Sequence, residues 1–205
     1  HYCDEGKNRV IAVMAKKKSK GAILEQAKEL FWKYGIKKVT VEEISQAAGV
    51  SKMTFYRNFQ NKLEVVELIS NSLFEEGREN YRKIMHRDGP FWERMADLLK
   101  LKEAQTAGMS MEFLADIQDN EFEKLRLKFA EHGQSMAEEV RNDIEVAQKE
   151  GWVRQDLNLD FLMVMMNGMQ LMVQNPQLQQ LFTSPAELSK QVTKLLFYGM
   201  APERK

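Results

Sequence analysis

The stretch from Thr40 to Lys62, TVEEISQAAGVSKMTFYRNFQNK, gathers hydrogen-bonding side chains onto one short segment. Ser51, Lys52, Thr54, Tyr56, Arg57 and Asn58 stand between the apolar anchors Val50, Phe55 and Phe59. Hydroxyl, ammonium, phenol, guanidinium and amide tips at this spacing suit contact with phosphates and base edges. They do not suit bond-making. No P-loop, Rossmann glycine pattern, H-E-x-x-H or G-x-S-x-G occurs. The histidines, His1, His86 and His132, are too few and scattered for a triad or a metal set. Glu75/Glu76 and Glu138/Glu139 are adjacent in sequence, so neither pair converges on a helix face. Cys3 is the sole cysteine, which excludes an intrachain disulfide and a two-thiolate metal site. The expectation is a protein that is not an enzyme, with no cofactor and no metal.

Charge is distributed unevenly along the 205 residues. Residues 16–62 hold eleven Lys/Arg against four Asp/Glu, a net +7. Residues 63–205 hold seventeen against twenty-four, a net −7. A basic front on an acidic body points to a polyanionic partner for the front alone. The most apolar stretch, Phe161 to Val173, contains Asn167, Gly168 and Gln170 and falls short of the ~20 residues a membrane span needs. With no signal peptide and a single thiol, the expected location is the cytoplasm. Residues 1–13 differ from the rest, and Met14-Ala15-Lys16 resembles a natural start, so 1–13 are read as a leader or extension, possibly disordered.

The elements that must position these groups are helical throughout, about nine in all. A first helix is expected from about Lys20 to Tyr34, with Ile23, Ala27, Leu30, Phe31 and Tyr34 on its inner face and Gly35 after it. Thr40 followed by Glu43 forms a capping-box signature for a second. Gly49 supplies a tight turn. Ser51 opens the third helix, and Asn61 with Glu64 opens a fourth that runs to about Met85. Asp88-Gly89-Pro90 breaks the chain before a fifth helix, roughly Pro90 to Gln105. A shorter helix around Ser110 to Gln118, a long one from about Asn120 to Glu150 and another from about Asn158 to Gln174 follow. Ser184-Pro185-Ala186-Glu187 starts the last. Ser51 at its cap position leaves amide groups suited to a phosphate. Lys62, a cation in the first turn of a helix, conflicts with the helix dipole unless an anion lies nearby.

Two short helices around a glycine turn, the second exposed, describe a helix-turn-helix unit. The pattern Thr40-Val41-x-x-Ile44, then Ala48-Gly49-Val50-Ser51-Lys52-x-Thr54-Phe55-Tyr56-x-x-Phe59-x-x-Lys62, resembles the N-terminal domain of the tetracycline-repressor (TetR/AcrR) family. The resemblance implies that Thr40, Ser51, Tyr56 and Lys62 hold phosphates and that Lys52, Met53 and Thr54 approach base edges. Asn58 lies at the margin of the same DNA-binding face. Met53 and Asn58 depart from the family's frequent small residue and histidine, which bears on the operator contacts and not on the fold.

The expected organisation is all-α: a helix-turn-helix domain over residues 17–77, with its motif at about 40–59, and a helical ligand-binding and dimerisation domain over 78–205. Leu162, Met165, Met169, Leu188, Val192 and Leu195 are the candidate homodimer surface. Trp92, Met95, Phe113, Phe129, Met136, Met166 and Met169 are the candidate pocket for a small hydrophobic inducer, because methionine adapts to varied apolar shapes. The function that results is a ligand-responsive transcriptional regulator, in the family's usual mode a repressor. It would bind a palindromic double-stranded DNA operator as a homodimer, with no membrane partner. The alternative is a helical carrier of hydrophobic ligands without specific DNA binding.

Overall fold

Gly35 and Gly49 punctuate the first helices, with φ of 84° and 64°. Both angles lie in the left-handed region that only glycine enters cheaply. The computed structural model describes residues 2–172 and 175–202. Side chains are described from Met14 onward, apart from Gln118, Met169, Gln170, Leu171, Pro176 and Gln179. Among the described residues there are ten α-helical segments and one 3-10 turn, with no strand. One of the ten, Pro176–Gln179, is a single turn that the sequence pattern did not suggest.

The chain divides into two units, His1–Leu73 and Phe74–Lys205. In the first, α1 spans Tyr2–Tyr34, α2 Val41–Ala47 and α3 Lys52–Asn58, and α4, Lys62–Met85, begins there. Helix α1 starts well before the expected Lys20, because the residues ahead of it include many strong helix formers and no proline. Ile23, Ala27 and Phe31, each four residues apart, are almost fully buried. Tyr34, expected on the same face, is instead 44% exposed. It is the last residue of α1, and Ile36 beyond the turn fills the core in its place. Ile44, Phe55, Phe59, Val65, Val66 and Ile69 complete that core.

Local capping sets the helix starts. Thr40 Oγ accepts from the Glu43 amide at 3.2 Å, and the Thr40 amide donates back to Glu43 Oε2 at 2.7 Å. The Thr54 amide donates to Ser51 Oγ at 3.1 Å, and the Glu64 amide to Asn61 Oδ1 at 3.0 Å. Each satisfies an amide that the first helical turn leaves without a carbonyl partner.

The second unit contains the end of α4, then α5 Phe91–Thr106, α6 Met111–Gln118, α7 Glu123–Lys149, α8 Leu159–Met172, α9 Pro176–Gln179 and α10 Pro185–Met200. The long helix expected from Asn120 begins instead at Glu123. Asp119 caps a 3-10 turn over Asn120–Phe122, which sets Phe122 into the core. Ser184 accepts from the Glu187 amide at 3.2 Å, with Pro185 in the first turn of α10. Helix α5 packs on α10, and α7 packs against α6 and α8. The core gathers Tyr81, Met85, Phe91, Met95, Ile144, Leu162 and Met200.

A polar seam joins the last turns of α4 to α7. Tyr81 Oη donates to Asp143 Oδ2 at 2.8 Å, Arg82 Nε to Glu139 Oε2 at 2.9 Å, and Arg78 to Ser135 Oγ. His86 Nε2 lies 3.3 Å from Asp143 Oδ1. Burial and the neighbouring Asp143 carboxylate push the Tyr81 phenol far above its ordinary range, so it remains a donor.

Candidate nucleic-acid interface

Phe55 and Phe59 hold α3 to the first unit. Their rings are 5.6 Å apart and both side chains are buried. The opposite side of the helix is open: Met53 is 66% and Tyr56 51% exposed, and Ser51, Lys52 and Arg57 are exposed as well. Thr54 and Asn58 are half-buried. The Tyr56 ring packs edge-on against Phe55 at 5.5 Å, which steadies a phenol whose tip stays available. The Ser51 and Thr54 hydroxyls are 2.9 Å apart.

Lys52 has a partner within the motif. Its ammonium forms an ion pair with the Glu42 carboxylate of α2. Glu42 was no part of the expected site, although its place in the first turn of a capped helix could have drawn attention to it. The pairing lowers the Glu42 carboxyl and raises the Lys52 ammonium from their ordinary pKa ranges, chiefly through their shared hydrogen bond.

Two expected contacts turn inward. Lys62 Nζ donates to Ile36 O at 2.7 Å, Val39 O at 2.9 Å and Lys37 O at 3.3 Å. Carbonyls of the turn between α1 and α2 therefore satisfy the cation, and the conflict with the α4 dipole requires no phosphate to resolve it. The Asn58 amide donates to Thr54 O at 2.8 Å and to Ser19 Oγ at 3.5 Å, so this side chain braces α3 against α1 rather than facing outward.

In the second unit the candidate pocket and dimer residues divide. Met95 lies in the core with Trp92, Met136 and Met166 packed against it. Phe113 is buried, and Phe129 meets Phe74 edge-on at 4.7 Å. The Met169 side chain lies outside the described residues. Leu162 and Leu188 are buried within the chain, which removes them from any outward surface. Val192 is half-buried, while Met165 and Leu195 are 37% and 66% exposed. Phe161 and Val164 on α8 and Tyr198 on α10 are exposed as well, since burial and not hydrophobicity decides which apolar residues remain outside.

An anchored, polar, outward helix preceded by a capped helix and a glycine turn defines a helix-turn-helix DNA-binding class. Residues 23–69 match the family described as "Bacterial regulatory proteins, tetR family". That match covers the N-terminal segment that carries the helix-turn-helix. It is 35% identical over 57 residues to the HTH-type transcriptional regulator TtgR of Pseudomonas putida, a match covering 28% of this chain and 27% of that protein. The match thus spans about a quarter of that curated relative. The fold extends further. A TetR-family regulator from Agrobacterium tumefaciens superposes with a TM-score of 0.69 at 14% identity, over 91% of this chain and 99% of that one. FadR from Bacillus subtilis in complex with stearoyl-CoA gives 0.64 at 18%, over 87% and 98%. No helix among the described residues is long and apolar enough to cross a membrane.

Proposed function

We propose that the protein is a ligand-responsive transcriptional regulator acting without catalysis in the cytoplasm, and specifically a repressor that binds a palindromic operator as a homodimer. The observation that carries this reading is the exposed polar face of α3, held rigidly by Phe55 and Phe59 inside a segment of net charge +7. Ser51, Lys52, Met53, Thr54 and Tyr56 supply its DNA contacts, with Thr40 and Lys62 setting the frame around them. Dimerisation places two such helices roughly 34–36 Å apart. The apolar faces of α8 and α10, carrying Phe161, Val164, Met165, Leu195 and Tyr198, support that assembly, since exposed patches of this kind favour a partner.

The inducer is a small hydrophobic molecule admitted among Trp92, Met95, Phe113, Phe129, Met136 and Met166. Four of these pack in or on the core, so a ligand would part existing contacts, which methionine side chains allow at low cost. The structural likeness to a FadR in complex with stearoyl-CoA is compatible with a ligand of this chemistry. Helix α4 is continuous from the Lys62 clamp to the seam with α7. A ligand that favours one setting of that seam would alter the presentation of α3 with a coupling of about 1–3 kcal/mol.

The deciding experiment selects a duplex from a random library with the purified protein, then compares it with an unselected duplex across salt concentrations. Tighter, salt-dependent binding to the selected duplex supports the regulator; equal binding to both leaves only a ligand carrier.

A further inference from the structure

The middle of α1 and the far end of α3 enclose an open groove of about 550 Å³ lined by Ala15, Lys16, Ser19, Thr54, Arg57 and Asn58. Its chemistry has one sign. Lys16 and Arg57 bring cations, Ser19 and Thr54 hydroxyls, and no carboxylate is among the lining residues. Lys17 and Lys18 are exposed on the same turn of α1. Lys20 sits one turn further, its ammonium 5.7 Å from the centre of the Phe59 ring. The walls are braced: Asn58 donates across to Ser19, whose hydroxyl donates in turn to Lys16 O at 3.0 Å. Thr54 belongs both to this groove and to the outward side of α3.

We infer that the groove takes the sugar–phosphate strand of the duplex that α3 contacts, pairing Arg57 of α3 with Lys16, a DNA contact outside the helix-turn-helix. The inference rests on the DNA-binding reading and extends it from α3 to the facing turn of α1, which the motif does not include. Phosphate oxygens accept from cations and hydroxyls, which are the groups the groove presents. Interactions of this kind add affinity and register without reading sequence. The cationic run Lys16–Lys18 thus flanks the reading helix instead of serving only as solvated charge.

The test is fluorescence anisotropy of the full chain on a duplex selected by the wild type and on an unselected duplex, with salt varied. Lys16→Gln/Arg57→Gln is compared with Lys28→Gln/Lys33→Gln, which removes the same charge from elsewhere on α1. The groove variant should make the slope of log affinity against log salt less steep by about 2 per chain, at ~0.9 for each phosphate no longer neutralised. It should weaken both duplexes by the same factor, and hydroxyl-radical protection should disappear at the outer sugars alone. Ala15→Trp, which fills the groove without changing charge, should likewise abolish that protection. All the substituted positions are exposed, and unchanged thermal unfolding confirms that the variants fold. A wild-type slope and footprint in the groove variants, or an equal effect in the Lys28/Lys33 control, overturns the inference while leaving DNA binding intact. Failure of the wild type to bind either duplex overturns both.

Discussion

The Lys52 ammonium at the start of α3 is held by the Glu42 carboxylate at the start of α2, two exposed side chains ten residues apart. A base edge or phosphate must therefore displace Glu42 before Lys52 can serve it. A carboxylate at this position also repels the duplex wherever that exchange is unfavourable, which is how a charged site discriminates against wrong partners.

Glu42→Gln should accordingly raise affinity for an unselected duplex more than for a selected one. The salt slope on unselected DNA should steepen by about 1, as one further cation becomes available to phosphates. Anisotropy titrations of both duplexes measure this, and unchanged affinities would show that the pair has no part in selection.

Lys62→Met should destabilise the protein in the absence of DNA. The ammonium ties three carbonyls of the turn between α1 and α2. Hydrogen bonds to a charged group contribute about 1.5–3 kcal/mol each in favourable cases, so a loss of that order is expected. Urea unfolding of the free protein measures it. Unchanged stability with weakened DNA binding would restore Lys62 to a phosphate-holding role.

Gly49→Ala tests the turn between α2 and α3. A Cβ there meets no heavy atom within 4 Å, so crowding contributes nothing. The φ of 64° remains, and a left-handed alanine costs about 1–2 kcal/mol. Gly49→Asn should lose less, because asparagine tolerates this region better. Equal losses in both variants would point to a cause other than backbone conformation.

Tyr81→Phe removes the phenol from the seam between α4 and α7 and should cost about 1–2 kcal/mol by leaving a carboxylate oxygen short of a donor. Burial raises the Tyr81 pKa in the folded protein above its unfolded value near 10. Its stabilisation is thus complete below that pH and is lost as pH rises beyond it. The wild type should lose stability above about pH 10 more steeply than Tyr81→Phe. Parallel alkaline unfolding curves would dissociate Tyr81 from that loss.

Much of the first unit was legible in the residues. The caps at Thr40, Ser51 and Asn61 and the anchors Phe55 and Phe59 stand where the pattern placed them. The second unit was less so. Leu162 and Phe161 are adjacent apolar residues on α8, yet one is 4% and the other 60% exposed. Their chemistry alone does not separate them.

The helix starts, the Gly49 turn and the polar character of α3 follow from the order of residues alone. Caps and turns close over two to four residues, and their geometry follows from the local chain. Where the polar tips end depends on how the helices pack. Lys62 reaches carbonyls more than twenty residues away, Asn58 reaches Ser19 across thirty-nine, and Tyr81 reaches Asp143 across sixty-two. Such partners meet because of which helix faces pack together, a choice made by the burial of Phe31, Ile44 and Phe55 in one unit and of Met85, Phe91 and Ile144 in the other. A lysine expected to meet phosphate thereby became the clamp of a turn, and Lys16 and Arg57, forty-one positions apart, became walls of one groove.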